Sequence, residues 1–341
     1  ATDFAGQKRW NFFQTPQPTA CGSAILASDG KNIYFGSDVM THGRSKDQKE
    51  LAYFKTTIAC LDRETGRRRG FNTDQPYQTI PEFDTGQVAV HEQWQLWQDR
   101  YFDLDNHGIH DDYYFSGRSI GANLTGLAAR DGKLYAALRI PQQVVVYTVE
   151  PFAEVARWDV PKPAGLAFAR DGRLLAISGN SVVALVDGNA TPVVAEGLDA
   201  PVDLAVDAAG NLYVSQWGNS HCVAVFAPDG KPLRTIGKPG GRPAIGAYDA
   251  NGMILPRGID IDPQGQLWVC EDDNYPRRVS VWNAATGKFV REFVGGTTYG
   301  ATKGGMIDPK RPHRALSLGV LYEIDLGKES WDINHWVRGA C

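Results

Sequence analysis

The feature of this sequence that most limits its possible folds is a phrase that recurs about every 40 residues. Each copy has an alternating apolar run, a short turn built around a glycine, and a second apolar run. The clearest copies are PAGLAFARDGRLLAIS (163–178), PVDLAVDAAGNLYVS (201–215) and PRGIDIDPQGQLWVC (256–270). Because successive side chains of a β-strand point to opposite faces, this pattern predicts a β-hairpin. The chain is therefore expected to be a series of repeated hairpins.

Two further strands follow the repeated hairpin. Weaker copies, LTGLAARDGKLYAAL (124–138) and GSAILASDGKNIYFGSD (22–38), extend the repeat toward the N-terminus. After the copy at 201–215 come the alternating runs CVAVFAP (222–228) and PLRTIG (232–237). Four strands in about 40 residues match one blade of a β-propeller, whose blades pack their faces on one another. We predict an all-β fold, a β-propeller of four-stranded blades.

Two other folds with many strands fit the sequence less well. A β-sandwich has short strands separated by turns, but repetition of one phrase at a fixed period is not expected of it. A (β/α)₈ barrel needs a helix after each strand. No window of about 12 residues has the apolar spacing of an amphipathic helix, which argues against the barrel.

The expected number of blades follows from where the copies begin, which is near residues 22, 124, 163, 201 and 256. Alternating sequence between 306 and 336 supplies strands for one more blade. We expect six blades, or seven if residues 73–120 contain a degenerate blade. The whole chain, 1–341, is predicted to be one propeller domain with an irregular insertion at about 77–120. The Gly- and Pro-rich stretch at 237–253 is predicted to be a loop between blades.

The two best copies of the repeat resemble NHL repeats. Residues 197–237 and 255–295 follow the pattern Pro-x-Gly-Ile-Ala-Val-Asp, then Gly-Asn-Leu-Tyr-Val, then Asn-x-Arg-Val-x-Val-Phe. The similarity departs after the second strand, where NHL repeats have Ala-Asp and this chain has Ser215-Gln216 or Cys270-Glu271-Asp272. The resemblance implies a six-bladed propeller of the NHL-repeat family. It further implies a non-catalytic binding or scaffold module that presents one face to a protein or carbohydrate partner.

Charge and apolar pattern argue against two kinds of partner. The chain has 35 Lys and Arg against 39 Asp and Glu, a formal net charge of −4, and no long basic run that would follow a phosphate backbone. Nucleic acid is therefore not expected as a partner. No stretch of about 18 apolar residues is present, so no membrane span is expected.

The five cysteines bear on the compartment in which the protein works. None lies in a C-x-x-C or C-x-x-C-H motif, which argues against a zinc ribbon and a c-type haem. Of the pairs that the repeat could bring together, Cys21–Cys60 is favoured over Cys222–Cys270. We expect an extracellular or periplasmic protein, compatible with being a subunit of a complex or one module of a longer protein.

Propeller ligands bind at the central opening of one face, lined by loops at equivalent positions of the blades. We predict ligand contacts from residues near the start of a first strand or the end of a second strand: Asp203, Trp217, His221, Arg257, Glu271 and Asp272. Ca²⁺ or another divalent cation is a cofactor that four of them could hold: Asp203, His221, Glu271 and Asp272.

An enzyme is the alternative to a binding module. In this interpretation the chain is a metal-dependent lactonase, another hydrolase or a lyase, whose cation sits near the central channel and polarises a carbonyl. The similarity to calcium-dependent six-bladed lactonases, the family of gluconolactonase, is one of architecture only. Both interpretations use the same fold, which hosts binding and catalytic proteins alike.

The insertion contains the other candidate residues. Between 92 and 118 the repeat is lost and the sequence is rich in aromatic, acidic and histidine residues. Asp103 and Asp105 stand at the first and third positions of a stretch that opens like an EF-hand loop, although its twelfth position is not Glu. His107 and His110 would suit a transition metal. A polar surface loop without a metal is the remaining interpretation.

Overall fold

The described part of the chain consists of β-strands and the turns between them. A computed structural model describes residues 25–44, 50–64, 78–79, 124–139, 141–243, 245–272, 277–294, 305–317, 320–325, 327–328 and 330–337. Within these ranges, no helix is long and apolar enough to cross a membrane. The chain divides into two compact units, Ala1–Ala195 and Glu196–Cys341.

The first unit contains three four-stranded sheets. Sheet 1 is formed by β1 (Ile25–Ser28), β2 (Asn32–Arg44), β3 (Glu50–Asp62) and β4 (Gln78–Thr79). Sheet 2 is formed by β5 (Leu124–Arg130), β6 (Lys133–Leu138), β7 (Gln143–Val149) and β8 (Phe152–Asp159). Sheet 3 is formed by β9 (Pro163–Phe168), β10 (Leu174–Ser178), β11 (Ser181–Val186) and β12 (Asn189–Val194).

The second unit contains two four-stranded sheets and one five-stranded sheet. Sheet 4 is formed by β13 (Pro201–Val206), β14 (Leu212–Gln216), β15 (Cys222–Phe226) and β16 (Pro232–Ile236). The short strand β17 (Ile245–Ala247) precedes sheet 5, which is formed by β18 (Pro256–Ile261), β19 (Gln266–Glu271), β20 (Arg278–Asn283) and β21 (Phe289–Val294). Sheet 6 is formed by β17 and by β22 (Gly305–Asp308), β23 (Arg311–Ser317), β24 (Val320–Asp325) and β25 (Ser330–Val337).

The predicted fold class is confirmed. Consecutive strands of each four-stranded sheet pair antiparallel and in chain order, so each sheet is a meander of hairpins. The first strands of sheets 1 to 5 begin at residues 25, 124, 163, 201 and 256, at or near the starts of the sequence copies. The chain is an all-β propeller with four-stranded antiparallel blades.

The number of regular blades differs from the expected six. Sheets 1 to 5 are four-stranded blades, whereas sheet 6 has five strands because β17 pairs with β25. Strand β17 comes from the stretch 237–253, which we predicted to be a loop. The described residues therefore show five four-stranded blades, since an additional strand makes the last sheet irregular.

Most of the predicted insertion lies outside the described residues. Between 77 and 120 only Gln78–Thr79 is described, and it pairs with β3 as the last strand of sheet 1. The metal-ligand candidates Asp103, Asp105, His107 and His110 lie in the part that is not described, and they stay predictions. A single propeller domain over 1–341 also stays a prediction.

Apolar side chains bury both faces of the middle strands. In sheet 4 every residue of β14 and β15 is buried. One apolar core joins sheets 4 and 5, and its members include Tyr213, Val223, Val225, Leu267, Val269 and Trp282. Removing one such side chain from water stabilises the fold by about 1.5–3 kcal/mol. Comparable cores join sheet 2 to sheet 1 and to sheet 3.

An aspartate closes the first hairpin turn of sheet 4. One oxygen of Asp207 accepts the backbone N–H groups of Ala209 (2.9 Å) and Asn211 (2.8 Å), and the other accepts the Asn211 amide (2.8 Å) and the Tyr213 hydroxyl (3.1 Å). Burial alone would raise the pKa of Asp207, but these hydrogen bonds outweigh burial and lower it. The turn is thereby tied to the aromatic ring at the centre of the second strand.

The same arrangement recurs in two other sheets. In sheet 1, Asp29 accepts the backbone N–H of Asn32 (2.7 Å) and the hydroxyl of Tyr34 (2.8 Å). In sheet 5, Asp262 accepts the indole N–H of Trp268 (2.9 Å). A buried Tyr or Trp needs a partner for its one polar group. The turn carboxylate supplies that partner for the buried Tyr34 and Tyr213 and for the half-buried Trp268, and it also closes the turn.

Replacement of Asp207 by Ala is expected to destabilise the protein by about 2–4 kcal/mol, because four donors, three of them in part-buried contacts, lose one acceptor. The measurement is urea unfolding followed by tryptophan fluorescence. Asp229→Ala is the matched control, since Asp229 closes an exposed turn of the same sheet and bonds Lys231 alone. We expect the control to leave the unfolding midpoint unchanged; equal losses in the two variants would contradict a special role for Asp207.

Candidate functional site

The strand register brings the predicted ligand residues to one end of the strands in sheets 4 and 5. In sheet 4, Gln216 at the end of β14 lies opposite Pro201 at the start of β13. In sheet 5, Glu271 at the end of β19 lies opposite Pro256 at the start of β18. The turn at 217–221 and Asp272 therefore both lie at the end of the sheets where the first strands begin. The predicted ligand side chains lie at this end.

Three of these residues form one partly exposed cluster, which we call the Trp217 patch: Trp217, Arg257 and Asp272. The Arg257 guanidinium donates to Asp272 Oδ2 (2.6 Å), and its carbon lies 5.6 Å from the centre of the Trp217 ring. Trp217 Nε1 donates to the carbonyl of Pro256 (3.0 Å). A charge-assisted pair and a cation–π contact thus hold the three side chains in one arrangement.

Asp199 fixes the turn that carries Trp217. One carboxylate oxygen accepts the backbone N–H groups of Asn219 (2.7 Å) and Ser220 (3.0 Å) and the Ser220 hydroxyl (2.8 Å). These hydrogen bonds, that from the Ser220 hydroxyl above all, lower the pKa of Asp199. Gly218 has φ +38°, and a Cβ there would lie 1.9 Å from the Asp199 carboxylate. The turn therefore requires glycine at this position.

His221 ties the same turn to the next blade. Its backbone has a positive φ of 44°, and its Nδ1 accepts the backbone N–H of Leu255 (3.0 Å). Nδ1 must therefore be unprotonated in this arrangement. The role that the structure shows for His221 is to position the chain that enters sheet 5.

Asp203 links the first strands of sheets 4 and 5. One oxygen accepts the N–H of Leu204 (2.9 Å), and the other accepts the N–H of Ile259 in β18 (3.1 Å). Burial raises the pKa of Asp203 to about 7, although both hydrogen bonds favour the charged form. The carboxyl group therefore exchanges its proton near neutral pH, at the joint between two blades.

Glu271 lies at the centre of a buried charge cluster. Its Oε2 accepts from Arg242 (2.5 Å) and its Oε1 accepts from Arg278 (2.6 Å), and all three side chains have an exposed fraction of 0%. Glu271 Oε2 also accepts the backbone N–H of Ile254 (3.0 Å). Buried charges persist only where they are paired and fully hydrogen-bonded. Both carboxylate oxygens of Glu271 meet that condition.

The charge cluster also orders the long stretch between sheets 4 and 5. Arg278 Nε donates to Glu292 Oε2 (2.5 Å), which also accepts the Tyr248 hydroxyl (2.6 Å). The carbonyl of Gly252 accepts from both Arg242 (3.1 Å) and Arg278 (2.9 Å). Two arginines and two glutamates therefore fold the Gly- and Pro-rich stretch onto the blade.

The oxygen atoms that we considered for a divalent cation already accept hydrogen bonds. Both Glu271 oxygens accept from guanidinium groups, both Asp203 oxygens accept backbone N–H groups, and Asp272 pairs with Arg257. Nδ1 of His221 accepts a backbone N–H. Within the described ranges, no group of three or more His, Cys, Asp or Glu could hold a metal ion. This donor set does not fit Ca²⁺.

Sequence reasoning did not include Arg242, Arg278 or Asp199 among the candidate site residues. Arg242 lies in a stretch that we interpreted as a loop, and Asp199 precedes the first strand of its blade without matching the repeat. Arg278 carried a signal, because it follows the acidic pair Glu271-Asp272 at the end of the preceding strand. Opposite charges at the two ends of one connection indicate an ion pair.

The thiol of Cys222 is not activated, because burial raises its pKa to about 11. Cys270 is an exposed residue, and the pKa of its thiol is raised because protein atoms displace water around the sulfur and because Asp203 and Glu271 lie nearby. Both are unpaired, so they form no disulfide with each other. The favoured pair, Cys21–Cys60, includes a residue outside the described ranges. That pair and the expected extracellular or periplasmic location stay predictions.

Known proteins resemble this chain in structure only. No protein-family model matches the sequence, and no curated protein matches it. Hydrazine synthase of Kuenenia stuttgartiensis is 16% identical over 62% of this chain and 65% of its own, just under two thirds, with a TM-score of 0.42. A chain of the nidogen–laminin complex is 15% identical over 88% of this chain and 94% of its own, with a TM-score of 0.45.

A gluconolactonase of Xanthomonas campestris is also similar. It is 16% identical over 61% of this chain and 73% of its own, with a TM-score of 0.40. At such low identities and TM-scores, these similarities carry no argument about activity or partner. The fold rests on the sheets themselves, and membership of the NHL-repeat family stays a prediction.

Replacement of Asp203 by Asn is expected to change how stability depends on pH. Because its pKa is raised, the stabilisation from its proton is complete below about pH 4 and is lost as the pH rises through 7. The variant should therefore gain up to about 4 kcal/mol relative to the parent between about pH 4 and pH 8. Urea unfolding at several pH values measures this. Asp199→Asn should shift in the opposite direction, because its pKa is lowered; a flat difference for Asp203→Asn would refute the prediction.

Replacement of Glu271 by Gln is expected to cost about 3–5 kcal/mol, because two buried guanidinium groups lose their shared counter-charge. Asp249→Asn is the control, since its pair with Lys238 is largely exposed and should cost less than about 1 kcal/mol. Thermal unfolding followed by circular dichroism compares the two. Similar losses would show that the buried cluster contributes no more than an exposed pair.

Proposed function

We propose that this chain is a β-propeller binding module whose Trp217 patch contacts a protein partner. The observation that carries the proposal is the partly exposed indole and ion pair held in place by neighbouring backbone. Trp and Arg are the residue types most often found at the energetic centre of protein interfaces. The NHL-like sequence of the same two blades supports a binding role.

The rigidity of the patch favours binding. Association normally costs entropy when a long side chain is immobilised at an interface. Here Arg257 is already fixed by Asp272 and by the Trp217 ring, and Trp217 is fixed by the Pro256 carbonyl. Asp199 holds the turn beneath them. A partner would therefore meet a surface that is ordered before binding.

A protein partner is favoured over a carbohydrate because one face of the Trp217 indole is already covered. A sugar ring stacks on a free aromatic face, but the guanidinium of Arg257 already covers one face of Trp217. The Arg257–Asp272 pair offers both donors and acceptors, which suits a peptide backbone or polar side chains. The enzymatic alternative would need a cation on oxygens that already accept hydrogen bonds, so we do not develop it.

Trp217→Ala is expected to weaken partner binding by about tenfold or more. Immobilised parent protein and variant would be compared for captured proteins by quantitative mass spectrometry, and purified candidates would then be titrated by calorimetry. Val155→Ala, at an exposed site in sheet 2, is the control and should bind as the parent does. A glycan array is the second arm. Loss of a glycan ligand in Trp217→Ala would replace the protein partner by a carbohydrate, and unchanged binding in both arms would refute the role of the patch.

A further inference from the structure

Sheets 4 and 5 are two copies of one repeat, so residues of one have counterparts in the other. Two residues are counterparts when they occupy the same position in the strand register of their own four-stranded sheet. The counterparts that matter here are Tyr213 and Trp268, Arg234 and Arg291, and Ile236 and Phe293. In each sheet these side chains lie on the same face.

In sheet 4 this face is covered by sheet 5. Tyr213 and Ile236 have an exposed fraction of 0%, in the core that joins the two sheets. The Arg234 guanidinium donates to the carbonyl of Ala284 in sheet 5, and the Tyr213 hydroxyl oxygen lies 3.1 Å from the same carbonyl oxygen. Asp203 adds its hydrogen bond to Ile259. The face is thus joined to its neighbour by apolar and polar contacts.

In sheet 5 the corresponding face is exposed. The exposed fraction of Phe293 is 46%, and Asp260, Cys270 and Arg291 are exposed as well. The rings of Trp268 and Phe293 stack at 5.8 Å, and the Arg291 guanidinium lies 5.9 and 5.6 Å from their centres. We call this surface the Trp268 face. Exposed apolar surface such as that of Phe293 is typical of an interaction site.

The Trp268 face lacks the inter-sheet hydrogen bond that Asp203 makes in sheet 4. The counterpart of Asp203 is Gly258, which has no side chain to accept an N–H from a neighbouring blade. A Cβ added to Gly258 would find its nearest neighbour, the Cβ of Cys270, at 4.0 Å. Among the residues that the structure describes, the space above this position is therefore open. A blade packed here in the manner of sheet 5 on sheet 4 would lack one of the bonds that join them.

Two rows of side chains cross the face, and the ends of each row complement one another. The first row begins with Asp260 on β18 and ends with Arg291 on β21. The second begins with the open space over Gly258 and ends with the exposed ring of Phe293. A two-fold axis parallel to the strands would lay each row on its own reversed copy. Arg291 would then meet the partner's Asp260, and Phe293 would fill the space over the partner's Gly258.

We propose that the Trp268 face is a self-association surface on which a second copy of this chain docks through the same face. A two-fold interface uses one patch on both subunits, so the patch must be complementary to itself. This face meets that requirement in charge, with an acid opposite a base, and in shape, with a ring opposite a glycine. The stacked Trp268 and Phe293 supply the apolar contact area.

The test is a charge exchange read out as oligomeric state. Light scattering after size exclusion would follow the parent over about a hundredfold range of protein concentration, where a dimer is expected to form. Arg291→Asp and Asp260→Arg should each weaken association by about tenfold or more, because like charges then face each other. The double variant should recover to within about threefold of the parent. A double variant no better than the single variants would overturn the proposal.

Two further variants separate this surface from general effects on the fold. Phe293→Asp should abolish association, whereas Leu233→Asp, at 48% exposed on the outer strand of sheet 4, should leave it unchanged. Circular dichroism would establish that both variants fold. Loss of association in Leu233→Asp alone, or a parent protein monomeric at every concentration, would overturn the proposal.

Alkylation of Cys270 reports on the face itself. The thiol should react in the monomer at low concentration and be protected in the dimer, with buried Cys222 as the internal reference. Peptide mapping by mass spectrometry identifies the labelled residue. Protection of Cys270 in the monomer would show that residues of the same chain cover the face, which would overturn self-association as the role of this surface.

Discussion

The structure depends on the burial of both faces of the middle strands, which sheet 4 shows most fully. The middle strands β14 and β15 have no exposed residue, so neither could remain in water as part of an isolated hairpin. Each sheet of this kind needs a neighbour on each side, and the apolar core shared by sheets 4 and 5 shows how one neighbour supplies it. Repetition of the hairpin is a consequence, because similar faces can stack on one another.

Polar groups join the blades where apolar packing alone would leave backbone groups unsatisfied. Asp207 closes a turn and holds a buried tyrosine, and Asp203 accepts an N–H from the next sheet. The Glu271 cluster does this at larger scale, since its two arginines bind the carbonyl of Gly252 and order the stretch before sheet 5. Buried charge is costly, so such a cluster stabilises the fold only while every member is paired.

Both surfaces that we assign to binding lie where the two best copies of the repeat differ. Arg257 stands where the preceding copy has Val202, and this change creates the Trp217 patch. Gly258 stands where that copy has Asp203, and this change removes an inter-blade clamp and opens the Trp268 face. Residues at equivalent positions of the repeat make equivalent contacts between blades. A residue that differs from its counterpart does not make that contact, and its side chain or the space beside it is available for binding.

The sequence alone determined the strands, their order and their hairpins, because alternation with period two and turn residues are local signals. Only the tertiary structure decided what the charged residues do. Glu271 was considered as a cation ligand, yet its oxygens accept from Arg278 in the next strand and from Arg242 in the stretch that we predicted to be a loop. The addition of β17 to sheet 6 was likewise hidden, because pairing between segments about 90 residues apart depends on where the blades place them.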